Sequence, residues 1–275
     1  MKPRVLLVGI DGCRPDGMRA AETPNLDSLL RSAGFSFEAQ TNPLTKSGPS
    51  RASMLTGVWS DKHGVTGNSM EGSRFDRYPH LFTRLKQVFP EARTATFVHW
   101  APINDSIVTD ADFSNEFDTS VAVAEAAEKQ MSLEAPDVTF LHFDDVDHAG
   151  HFYGYGPNPD YLAAISGVDA LIGRVLGVIM KRSVYSEEDW LIIVGTDHGG
   201  DDVKEPGAAK ARHGDDVPEH RTVFLIVSGR SVARGTIEPP PVTVDVPPTI
   251  FAHLGIAVDP KWGWDGRPLA QRLDG

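Results

Sequence analysis

Val5-Leu-Leu-Val-Gly-Ile-Asp11 is a continuous apolar run, rich in branched side chains, that stops at an acid followed by Gly12. A run without polar alternation suits a strand buried on both faces, as in the interior of a parallel sheet. Val138-Thr-Phe-Leu-His-Phe-Asp144 and Trp190-Leu-Ile-Ile-Val-Gly-Thr-Asp197 read the same way, and Val223-Phe-Leu-Ile-Val-Ser228 ends at a glycine. Strands that deliver Asp, His and Gly just past their apolar ends define an open α/β sheet, whose ligand site lies outside the carboxyl edge. Helical patterns separate the runs. Thr23-Pro24 offers a capping residue and a proline at the first position of a helix over Asn25 to Ala33, which Gly34 stops. An Ala/Glu-rich helix is expected over Val121 to Met131. A longer one spans Tyr161 to Arg182, with Ile165, Val168, Leu171, Ile172, Val175, Leu176 and Ile179 on one stripe. Glu238-Pro-Pro-Pro241 reads as a loop before a final helix around Pro248 to Leu254. The expectation is a single α/β domain over 1–275. The mixed segment at about 71–120, with His80, Trp100 and Asn104, is a candidate small cap or insertion.

The whole chain supports an ordinary globular core. Its 275 residues are 40% hydrophobic and 23% charged, too apolar for a disordered chain. The formal net charge of −12 repels a nucleic-acid backbone, so no polymeric nucleic acid is expected as a partner. A small phosphate or sulfate substrate remains compatible, because a local metal site reverses the field. Cys13, the one cysteine, cannot form an internal disulfide. The opening residues carry only a short apolar run before an acid, and no stretch approaches the ~20 apolar residues of a membrane span. A cytoplasmic protein without a membrane partner is the expectation; the sequence does not speak to oligomeric state.

Acids and histidines gather at strand ends in four places far apart: Asp11, Asp147 with His151, Asp197-His198, and His213. Imidazole nitrogen and carboxylate oxygen together suit zinc and neighbouring divalent transition metals. A lone Asp-His pair is more often a loop pair, but four such clusters weigh against that. Between the first two lies Leu44-Thr-Lys-Ser47-Gly-Pro-Ser50-Arg51, a loop opening a helix. Taken alone, Ser47 reads as a helix N-cap. Beside a cation its hydroxyl would become a nucleophile.

These segments carry a resemblance to the alkaline phosphatase superfamily, and within it to the nucleotide pyrophosphatase/phosphodiesterase-like branch. Asp11-Gly12-Cys-Arg14-Pro-Asp16 with Thr23-Pro-Asn-Leu-Asp27 resembles the opening metal aspartate and its helix. Thr45-Lys46-Ser47-Gly-Pro49, Thr56-Gly57 and His63-Gly64 resemble the nucleophile segment, where that branch usually has threonine. Asp147-His-Ala-Gly150-His151, Thr196-Asp197-His198-Gly199-Gly200 and Arg212-His213-Gly214 resemble its metal motifs, and Trp264-Asp265-Gly266-Arg-Pro-Leu269 its closing pattern. The resemblance implies a three-layer α/β/α sandwich with a mostly parallel sheet, and two divalent ions, zinc first with manganese or iron as alternatives. Asp147, His151 and His213 would hold one; Asp11, Asp197 and His198 the other, with Ser47 as its remaining ligand and attacking group. Asn68 would donate to the phosphoryl oxygen. Lys46 and Arg51 are candidate substrate contacts. The implied activity is a two-metal phosphodiesterase or nucleotide pyrophosphatase acting on a small phosphate ester through a phosphoseryl intermediate.

Rival readings attach to the same residues. Ser47-Gly-Pro49-Ser50-Arg51-Ala52 fits the sulfatase signature, but calcium prefers oxygen ligands, whereas this histidine-rich set suits zinc. Phosphomonoesterase and phosphonate hydrolase use the same scaffold, with Asn68 favouring the diesterase. A metal-binding module without turnover ranks last. His220 competes with His213, which is preferred for its His-Gly pattern. Asp144 and Asp145 read chiefly as solvated loop residues, and His148 equally as a pocket residue or a solvated loop histidine; His80 and His99 carry no spacing signal, and Phe97 and Trp100 read as core.

Overall fold

Alternate residues of the first run serve two different cores. Leu6, Val8 and Ile10 pack into one cluster and Val5 and Leu7 into the other, and all five are essentially inaccessible to solvent. The computed structural model describes residues 1–203, 208 and 210–269. It places this strand, β1 (Lys2–Ile10), inside an eight-stranded sheet. The others are β2 (Gly34–Gln40), β3 (Thr94–Val98), β4 (Phe113–Glu116), β5 (Val138–Phe143), β6 (Glu188–Thr196), β7 (Thr222–Ser228) and β8 (Gly235–Thr236). Their order is β4-β3-β5-β1-β6-β7-β2-β8. From β4 to β6 all pairings are parallel; β7 runs antiparallel to both β6 and β2. The result is the expected three-layer, mostly parallel α/β architecture.

One layer holds the helices Pro24–Leu30, Ser120–Leu133 and Pro159–Met180. The long helix buries the stripe from Ile165 to Ile179, with Leu176 partly covered. The opposite layer holds Ser47–Thr56, Leu81–Val88 and Val246–His253. One local expectation is corrected. Thr23 makes no side-chain cap; instead Asp169 of the long helix accepts from the backbone N–H of Asn25 (3.2 Å) and Leu26 (2.8 Å), filling that role from across the layer.

Part of the segment entertained as a cap over about 71–120 belongs to the sheet itself, since it supplies β3 and β4. The pairing level then sets up the site. Ile10 lies opposite both Phe143 and Thr196, and Val98 opposite His142. The residues that follow, Asp11, Asp144, Asp197 and His99, therefore emerge side by side at one edge.

Candidate metal centre

Each ligand-type side chain reaches that edge for a local reason. Asp11 ends β1 and Asp197-His198 follow β6. Asp147 and His151 lie one helical turn apart on Asp145–Tyr153, so they share a face. His213 arrives from the loop before β7. Gly12 lets the chain pass close by: it sits at φ +61°, and a Cβ there would come within 2.6 Å of Asp147 Oδ1.

Two groups result. Asp147, His151 and His213 offer one donor atom each within 4.8 Å of one another, and so do Asp11, Asp147 and His198. His151 Nε2 is 3.3 Å and His213 Nε2 3.9 Å from Asp147 oxygens. His198 Nε2 lies 3.3 Å from Asp11 Oδ1 and 3.7 Å from Asp197 Oδ2. Ser47 is the first residue of its helix rather than the cap, which is Lys46. Its Oγ lies 3.3 Å from His198 Nε2 and 3.5 Å from Asp11 Oδ1, facing the centre and not the helix backbone.

These residues fit divalent cations on three observations. The Nδ1 atoms of His151, His198 and His213 each meet a backbone carbonyl, of Ala211 (2.8 Å), Gly199 (2.9 Å) and Thr45 (2.9 Å). A proton on Nδ1 makes that bond and turns Nε2 towards carboxylates, where a metal cation or a second ring proton must sit between the two acceptors. Asp197 Oδ2 is buried without any hydrogen-bond partner. The mixture of imidazole and carboxylate is the donor set of zinc and its neighbours.

The charges point the same way. Burial raises Asp144 to about 8, with Asp11 and Asp147 adding to the rise. Burial also lifts Asp197 to about 6, against the opposing charge of Arg51. Burial disfavours charge on His198, but Asp197 and the hydrogen bond to Asp11 outweigh it and raise its pKa to about 10. His213, buried and stacked on the His198 ring at 3.9 Å, is lowered to about 4. The charges of Asp11, Asp147 and Asp197 thus exceed what Arg51 and a protonated His198 balance.

Arg51 is corrected as a substrate contact. It is fully buried, its Nη2 lies 3.1 Å from Asp197 Oδ1 and 3.6 Å from Asp11 Oδ2, and it packs beneath the ligands against Gly9. Lys46 is exposed beside Ser47, with its aliphatic stem against Gly214. Asn68 is exposed, and its Oδ1 accepts the Gly48 N–H at 2.9 Å, which ties the side chain over the helix start and frees its amide N–H groups. His220 turns away to Asp201 (3.0 Å), leaving His213 at the centre. Sequence reasoning missed His142, which donates to Asp11 Oδ2 at 2.9 Å, and Tyr155, whose hydroxyl donates to Asp147 Oδ1 at 2.6 Å. The polar His142 inside an apolar strand was the available signal; nothing marked Tyr155. Asp144, read as a loop acid, is buried among the ligands.

Such a sheet edge, with Ser47 opening a helix beside it, is the arrangement that the resemblance to the alkaline phosphatase superfamily implies. Comparison with solved structures agrees: the murine ectonucleotide pyrophosphatase/phosphodiesterase 5 superimposes with a TM-score of 0.75 at 13% identity, over 94% of this chain and 96% of that one. The pattern of the type I phosphodiesterase / nucleotide pyrophosphatase family matches residues 5–91 and 87–249, and the chain belongs to that family. Among curated proteins, it is 27% identical to the bis(5′-adenosyl)-triphosphatase enpp4 of Mus musculus over 220 residues, 72% of this chain and 47% of that protein. The chain thus spans about half the length of the curated relatives it matches most fully. A shorter match, 38% over 72 residues, is to an arylsulfatase of Clostridium perfringens, covering 24% of this chain and 15% of that protein.

Proposed function

We propose that the chain is a metal-dependent hydrolase of phosphodiester or pyrophosphate bonds in a small phosphate ester, with Ser47 as nucleophile. The observation that carries this reading is the position of Ser47 Oγ at the start of a helix, directed at Asp11 and His198 rather than into a cap. Asp147, His151 and His213 would hold one cation and Asp11, Asp197, His198 and Ser47 a second, zinc on the donor chemistry, with manganese or iron able to use the same set. Bound there, such ions supply charge that lowers the serine pKa and screens the phosphoryl group.

The chain's own groups do the rest. Positive partial charge at the helix start favours the anionic substrate. The free amide of Asn68 donates to a non-bridging oxygen, where charge develops. Ser47 Oγ bonds to phosphorus as the bond to the leaving oxygen breaks in line; its proton passes through water to the leaving group, and a seryl phosphodiester that keeps the second ester group remains. Water then hydrolyses the bond from Ser47 to phosphorus, releasing a phosphate monoester and restoring the hydroxyl. His142 and Arg51 hold Asp11 and Asp197 in place beneath. The mouse relative's name makes dinucleoside polyphosphates the first natural substrates to try.

The test compares bis(p-nitrophenyl) phosphate with p-nitrophenyl phosphate, phosphonate and sulfate esters, on zinc-loaded, chelator-treated and Ser47→Ala protein. Diester turnover is expected to fall by ~10³-fold or more in the variant and to vanish on chelation. A Ser47→Ala protein that keeps its turnover removes the nucleophile assignment. Preference for sulfate, with an aldehyde formed at residue 47, replaces the reading with the sulfatase one that the arylsulfatase match favours.

A further inference from the structure

The helix Asp145–Tyr153 and its cap carry the same spacing twice. Asp147 and His151 form one i,i+4 pair, with Nε2–Oδ2 3.3 Å; Asp144 and His148 form another, with Nε2–Oδ2 3.1 Å. The two pairs are offset by three residues, so they lie on neighbouring faces of the same turns. His213 completes the first pair from a loop. The second has its own third member, because His99 follows β3, the strand beside β5, and donates its backbone N–H to the His142 carbonyl at 3.2 Å. His99, Asp144 and His148 offer one donor atom each within 4.8 Å of one another.

His99 is also held as a ligand histidine is held. Its Nδ1 faces Asp145 Oδ1 at 3.4 Å and Ser120 Oγ at 3.3 Å, the carboxylate-on-imidazole arrangement that fixes a ring and leaves the other nitrogen as donor. The His99 and His148 rings meet edge to face with centroids 5.6 Å apart. Asp144 is buried, whereas the His148 side chain is 58% exposed, so the cluster is anchored within and open outside.

We propose that His99, Asp144 and His148 form a further divalent-metal site, separate from the Ser47 centre, that takes a zinc-class cation through two imidazoles and one carboxylate. Three protein ligands with one open side leave a coordination position for water or for an oxygen of a bound anion. Asp144 also lies within reach of Asp11 and His142, so a cation there offsets charge next to the aspartate that faces Ser47.

The test is metal content after equilibrium dialysis against zinc alone, for the wild-type chain and for His148→Ala and His99→Ala. Each variant is expected to bind one equivalent fewer than wild type, with an unchanged circular dichroism spectrum. Because His148 is exposed, its removal does not endanger the fold. Cobalt substitution gives a second readout, with one component of the visible absorption lost in the variants. Reading a difference keeps the result independent of how many ions the Ser47 centre holds; His213→Ala, measured alongside, reports that centre by itself. Equal zinc content in wild type and His148→Ala overturns the proposal, and so does a loss seen only in a variant whose spectrum shows unfolding.

Discussion

Val65 donates its N–H to His63 Nδ1 at 3.1 Å, so the ring carries its proton on Nε2, facing Ser53 Oγ at 3.0 Å. A second proton would set N–H against N–H in a fully buried site. Burial, with the charge of Arg74 adding, accordingly lowers His63 to about 4. The unfolded chain takes up that proton near the ordinary histidine pKa of about 6.5. Since the folded value lies below the unfolded one, the contribution is fully present above about pH 6.5 and is lost as pH falls towards 4. Between pH 7.5 and 5 the stability lost through this residue is about 2 kcal/mol. Urea unfolding at both pH values, on wild type and His63→Gln, should show the variant losing less by that amount. Equal losses would exclude the assignment.

At the scale of elements, Asp169 ties two helices together. It is 1% exposed and serves the otherwise unpaired backbone donors at the start of Pro24–Leu30, with Asn25 Nδ2 as a further partner at 2.8 Å. Asp169→Ala should destabilise by about 1–3 kcal/mol, because those buried donors lose their acceptor. Thermal melts of Asp169→Ala and Asp169→Asn should show the asparagine variant losing less, since its amide oxygen still accepts.

The same scale shows what the amino-acid order reveals. β1, β5, β6 and β7 are central, buried on both faces and therefore uniformly apolar, so they stand out, and Asp11, Asp147, His151, Asp197, His198 and His213 are found from the strand and helix ends that follow. β4 is a short outer strand with three exposed residues of four, and a period-two pattern has no room to develop in it. β3 is fully buried but only five residues long, and β2 carries a register irregularity between Ser36 and Ala39 that breaks its alternation. The contacts of His99 could not be read, because its neighbours Asp145 and Ser120 come from elements far along the chain. Arg51 reads as a candidate substrate contact from its place in the nucleophile motif, whereas the helix Ser47–Thr56 that carries it is buried along its whole length.

For the molecule as a whole, cations bound where Asp11, Asp144, Asp147 and Asp197 gather at one edge of a chain of net charge −12 would stabilise the fold. A ligand present at a thousand times its Kd stabilises by about 4 kcal/mol, and one kcal/mol moves the midpoint of a chain this size by about 2–4 °C. Chelation should therefore lower Tm by roughly 10 °C, and zinc should restore it. A Tm that ignores both treatments would remove the structural role of the ions.

The place of β1 in the sheet bears on the order in which the molecule can be assembled. Its neighbours are β5 and β6, so Val5 waits for Val138 on one side and Leu191 on the other. As the chain leaves the ribosome, β1 precedes both of its neighbours, which follow only near residues 140 and 190. For about the first half of these 275 residues it has no native neighbour, and contacts of such long sequence separation close slowly. A nascent chain of this topology offers chaperones one unpaired edge of β1 until more than two thirds of the 275 residues have been joined.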